Sequence, residues 1–243
     1  MKAIDIIINK PWLHTNHACA DGILWLKNHT GIGAKAGDIL RDVLTDEKWD
    51  YFWWLAVRLM TRPQKVEFAI FAAEQVIAIF EKKYPNDDRP RRAIQAAKDW
   101  RANPSVANEE ACVLARRAAA AAADAAAADA ADAAAADAAA DAYADAAAAD
   151  AYADAAAADA YADAAAADAA AAAADAAACA AYAYAGACAA YAAYDAAYAA
   201  YAAAYAAAYT AAHAAAYADA AAAAYEKMWR VLGLKVIEIL SAE

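Results

Sequence analysis

The chain has 243 residues, a net charge of −11 and 65% hydrophobic residues, but Ala supplies most of that share and buries little area per residue. From Ala118 to Tyr225 it carries 14 Asp and no Lys or Arg. Such a negative field repels nucleic acid and anionic membrane surfaces, and Asp interrupts the Ala runs too often for a membrane span, so neither partner is expected.

The opening, Met1 to Asn9, is short, is interrupted by Asp5 and lacks a cleavage pattern, so no secretory leader is expected. A strand at Ile4–Ile8 is one reading, although nothing evident pairs with it. Helical periodicity marks Ala18–Asn28, Ala36–Val43, Trp49–Met60, Lys65–Lys82 and Arg91–Arg101. Gly31 with Gly33, Arg62-Pro63, Tyr84-Pro85-Asn86 and Asn103-Pro104 are the breaks. Residues 1–105 are therefore expected to form a globular helical domain. Four cysteines, Cys19, Cys112, Cys179 and Cys188, form no disulfide framework, which suits a reducing cytoplasm.

Three constellations in this domain carry possible chemistry. His14, His17, Cys19 and Asp21 are metal-ligand types within eight residues, but a structural zinc site needs a second close pair and none follows. A helix start with buried Cys19 and hydrogen-bonded histidines is the expected state, with His14 and His17 kept as partner-binding candidates. In Tyr84–Arg92, Pro85 ends one helix, Asp87 or Asp88 can cap the next, and Pro90 fits its first turn. Arg89, Arg91 and Arg92 are then grouped beside Asp88, either as a bidentate site for carboxylate or phosphate or paired with Asp87, Asp88 or Glu81. Trp49, Trp53, Trp54 and Trp100, with Glu74 and Lys82, form the third group. Trp53 and Trp54 diverge by about 100° on a helix, so one of them can line a pocket or interface while the other fills the core.

Residues 106–225 read as an Ala/Asp/Tyr-rich helical scaffold, since Ala is the strongest helix former and nothing breaks the run before Gly186. Ser105 or Asn108 is its expected N-cap. A nine-residue unit, DAYADAAAA, starts at Asp141, Asp150 and Asp159, and puts Asp and Tyr on two edges with Ala-only faces between them. As one straight helix, Glu109–Ala185 would span roughly 115 Å. The Ala faces are buried only if the rod folds into antiparallel hairpins or a layered bundle, or if copies associate as a homo-oligomer. Tyr191, Tyr194, Tyr198, Tyr201 and Tyr205 form a stripe that suits a packing seam. Residues 226–243 carry an amphipathic stripe, Trp229, Leu232, Val236, Ile239 and Leu240, expected to dock back on the first domain.

The fold class is thus all-α. No Gly-rich phosphate loop, Ser elbow, Cys–His nucleophile pair or metal-binding carboxylate motif is evident, so neither catalysis nor a metal or cofactor is expected.

Several stretches carry a family likeness: His17 to Leu26, Trp53-Trp54-Leu55, Ala73 to Val76, Phe80 to Pro85, Asp88 to Arg91, and Ala93-Ile94. In these, and in the Ala-rich continuation, the chain resembles the immunity protein family of bacterial polymorphic toxin systems and phages. The likeness is most specific over Phe80 to Arg92. It implies a cytoplasmic, non-catalytic protein that neutralises a target by binding it. The first expected target is a protein toxin. The second is a small anionic signalling molecule, a cyclic nucleotide or ADP-ribose derivative, sequestered by a phage-encoded sponge.

Overall fold

The structure, a computed structural model, describes residues 2–143, 160–174, 176, 192, 198–202 and 214–242. These are all-α. A 3-10 turn at Ala3–Asp5 precedes α1 (Lys10–Thr15), α2 (Ala20–Asn28), α3 (Ala36–Thr45), α4 (Trp49–Leu59) and α5 (Arg62–Lys83). Then come α6 (Arg89–Ala102), α7 (Val106–Tyr143), α8 (160–174) and α9 (Ala214–Ala242).

The helix starts follow from local chemistry. Asn9 accepts a hydrogen bond from the Trp12 amide at 2.9 Å, with Pro11 in the first turn. Thr61 and Gln64 form a capping box ahead of α5. Ser105, rather than Asn108, caps α7, its hydroxyl accepting from the Asn108 amide at 3.3 Å. At α6, Asp88 occupies the cap position without a side-chain bond, and Asp87 accepts from the Arg89 amide instead.

The strand reading of Ile4–Ile8 gives way to a turn and one antiparallel bridge, Ile7 with Lys35. Ile8 donates to the Ala34 carbonyl at 2.9 Å, Gly33 to Ile8 at 2.8 Å and Ala36 to Ile6 at 2.8 Å. Gly33 reaches this register with φ +101°, a conformation that costs glycine little. The segment before α1 is thereby tied to the loop between α2 and α3.

The core gathers where α4, α5 and α9 meet. Trp53 packs on Phe68 (ring centroids 5.0 Å apart) and Trp229 (5.5 Å), and Trp49 stacks on Trp229 at 5.7 Å. All five residues of the C-terminal stripe are buried, so the last helix does dock. The helix that carries the stripe spans Ala214–Ala242 and crosses position 226 without a break. Each fully buried Phe, Leu or Val here contributes about 1.5–3 kcal/mol. The Ala-rich part joins this core through small side chains: Ala119, Ala122 and Ala126 on α7, and Ala166, Ala169, Ala170 and Ala173 on α8. Such faces allow axes to approach toward the short end of the usual range.

The Tyr84 hydroxyl shows that the scaffold is folded back. It donates to Asp129 of α7 at 2.8 Å and lies 3.3 Å from Asp163 of α8. On one straight helix those carboxylates would be about 50 Å apart. Asp163 is only 5% exposed and pairs with Lys83 at 3.1 Å. The repeat read alone suggests a solvated Asp there; the end of α5 covers it instead. Burial, and then the Asp129 carboxylate, raise the Tyr84 phenol well above its ordinary value. Of the tyrosine stripe, Tyr198 and Tyr201 meet Tyr225 edge-on, and Tyr225 meets Trp229 the same way, which is a packing seam. Gly186, Cys179, Cys188 and most of the nine-residue repeats lie outside the described residues.

Candidate functional site: a basic groove beside an aromatic cavity

The best-equipped surface lies on α1 and α2. Lys10 and His14 are one turn apart on α1, so they share a face, and Ile23 and Lys27 do the same on α2. With His17 they border an open groove of about 600 Å³, floored by Leu13, Ala18 and Ile32. No carboxylate lines it. Among the described residues, the side chains of Lys10, His14, His17 and Lys27 form no hydrogen bond or ion pair. Eleven other Lys and Arg side chains are by contrast paired with acids.

His17 reaches the groove by an uncommon backbone state. The end of α1 is a Schellman turn: the Ala18 amide donates to Leu13 at 3.0 Å and the His17 amide to His14 at 3.1 Å. His17 takes the left-handed position with φ 53°, where glycine is the usual residue. A side chain at such a place costs on the order of 1 kcal/mol, and strain of this kind clusters at functional sites. The expected hydrogen-bonded histidines and buried Cys19 are therefore corrected. Both imidazoles lack partners, and Cys19 is exposed, its sulfur accepting from the Gly22 amide at 3.3 Å as the cap of α2.

A cavity of about 340 Å³ adjoins the groove, sharing Leu13 and Ala18 with it. Trp25, Tyr51 and Trp54 supply its aromatic wall, and Leu26, Ile39 and Val43 deepen it. Trp54 is held in place by the edge of Trp12 (centroids 5.8 Å apart) and by the Arg58 guanidinium 4.3 Å above its ring. The divergence of Trp53 and Trp54 is thus realised: Trp53 is in the core and Trp54 lines a cavity.

The other candidate residues sit elsewhere. Arg89 forks onto Asp87 (2.6 and 2.9 Å), Arg91 onto Glu81 (two bonds of 2.6 Å), and Arg92 reaches Asp88 at 3.1 Å. Arg89 and Arg91 correspondingly hold Asp87 and Glu81 below the ordinary carboxylate range, mainly by hydrogen bonding. The arginine group therefore takes its carboxylate-paired form. Trp100 is buried beneath Arg62, whose guanidinium lies 4.5 Å from its ring. Burial pushes the Cys112 thiol up to about 11, and its sulfur donates to the Ala96 carbonyl. Among the described residues, no three His, Cys, Asp or Glu side chains group as a metal site, and no helix is long and apolar enough to cross a membrane.

The sequence offers His14, His17 and Trp54 as candidates in two separate groups, and does not single out Lys10, Lys27, Trp25 or Tyr51. The Lys10–His14 spacing was the available signal, hidden because α1 is a six-residue helix with too few residues to show periodicity.

Fold and site together describe an all-helical protein with a basic groove opening beside an aromatic cavity. No protein-family model, curated protein or solved structure matches the chain.

Proposed function

We propose that this chain is a non-catalytic binding protein of the immunity or counter-defence type, which neutralises a small anionic, nucleotide-derived molecule by holding it. The observation that carries this reading is the groove: two ammonium groups and two imidazoles, free of acid partners, over an apolar floor. Unpaired cations on a chain of net charge −11 are suited to an anion, because no internal carboxylate must first be displaced. The paired arginines on α6 are less suited, since a ligand there would have to compete with forked carboxylates.

Native mass spectrometry of protein purified from cells mounting a defence response, followed by denaturing release, tests the reading. A released molecule with a phosphate-like mass defect is expected from the wild-type chain and none from Lys10→Ala/Lys27→Ala. A bare mass for the wild type would count against it. The second reading, a protein toxin as target, draws on the 14 Asp of the Ala-rich half, which suit a basic partner. It requires a basic protein that co-purifies at low salt and is shed at high salt.

A further inference from the structure

We propose that the aromatic cavity is a ring subsite, which takes the flat heteroaromatic base of a nucleotide while the anionic end lies in the adjoining groove. The proposal rests on the functional reading above only for that anionic end. Two observations carry it. Trp25, Tyr51 and Trp54 line the cavity together, and base–aromatic stacking tolerates any nucleobase. The volume of about 340 Å³ falls within the about 300–1,000 Å³ of small-molecule sites.

The charges fix the orientation. No cation lines the cavity, and the Asp50 carboxylate at its wall opposes a phosphate there. The four cationic or imidazole side chains border the groove, on the other side of the shared Leu13 and Ala18. Ring and anion are thereby directed to different halves of one site. Gly22 keeps the ring end open: a Cβ there would stand 3.2 Å from the Cys19 sulfur and 3.8 Å from the Tyr51 ring.

The test titrates the full chain with adenosine, guanosine, cytidine and uridine, and separately with inorganic pyrophosphate. Indole N–H resonances and calorimetry are the readouts, with Trp25 assigned through Trp25→Phe. At least one nucleoside is expected to bind and shift the Trp25 resonance. Trp25→Ala should weaken that binding about tenfold, the loss of one stacking partner, and leave pyrophosphate unaffected. Lys10→Ala/Lys27→Ala should do the reverse. If no nucleoside moves the wild-type resonance at millimolar concentration, or folded Trp25→Ala binds like the wild type, the ring subsite is overturned. Pyrophosphate binding would then still uphold the groove by itself. Nucleoside binding without pyrophosphate binding would uphold the ring subsite and remove the anion reading.

Discussion

Lys83→Met isolates the contact that clasps the Ala-rich scaffold to the end of α5. Lys83 lies 3.1 Å from Asp163, whose side chain is 7% exposed against 38% for the lysine. Removing one partner of a fully buried pair costs about 3–5 kcal/mol, because a charge is stranded. Here water reaches the lysine side, and Tyr84 remains 3.3 Å from the carboxylate, so the cost falls below that range and about 2 kcal/mol is expected. Lys83→Met/Asp163→Asn strands no charge and should recover at least half of that loss. Urea unfolding followed at 222 nm, with similar slopes across the set, reads both values. The reasoning is refuted if Lys83→Met unfolds at the wild-type midpoint, or if the double variant loses the sum of the two single losses.

Asp168, half-buried on α8, has its carboxyl pushed up to about 6 from an ordinary 3.8 by desolvation. The folded chain therefore holds this proton more tightly than the unfolded one, and the contribution to stability falls as pH rises from about 4 to about 6. The full rise corresponds to about 3 kcal/mol, which water around the partly exposed carboxyl reduces, so Asp168→Asn should stabilise the protein at pH 7 by about 2 kcal/mol and by almost nothing below pH 4; equal gains at both pH values would contradict this. At Gly233 on α9, an added Cβ would meet Leu44 Cδ1 at 2.6 Å and Phe52 at 3.5 Å. The helix-propensity gain of Gly233→Ala is about 1 kcal/mol, against about 1–3 kcal/mol for overpacking. Leu44 is only partly buried and can yield in part, so a net loss of about 1 kcal/mol is expected, and a raised melting temperature would count against it.

Much of the helical layout was legible because its signals are local. Periodicity found the cores of α2 to α6, Pro63 and Pro90 sat in first turns, and the stripe from Trp229 to Leu240 marked the buried face of α9. The pairing of Arg89, Arg91 and Arg92 was also readable as one alternative, since their acids lie within about ten positions. What escaped depends on distant neighbours. Nothing around Ile7 announces Lys35 as its bridge partner, and nothing in a repeated Asp says that Asp163 meets both Lys83 and Tyr84. The groove escaped for a similar reason. It needs α1, α2 and the loop at Ile32 to converge, and its distinguishing feature is a lining of Lys10, His14, His17 and Lys27 without a carboxylate, which sequence spacing does not display.

The central claim is that the unpaired cations of the α1–α2 groove hold an anion, whereas the paired arginines of α6 do not. Calorimetric titration of inorganic pyrophosphate into the wild type, Lys10→Glu/Lys27→Glu and Arg91→Ala, at low and high salt, tests it most directly. Salt-sensitive binding is expected for the wild type and for Arg91→Ala, and none for the charge-reversed groove. Equal binding by the charge-reversed chain, or loss of binding in a folded Arg91→Ala, would contradict it.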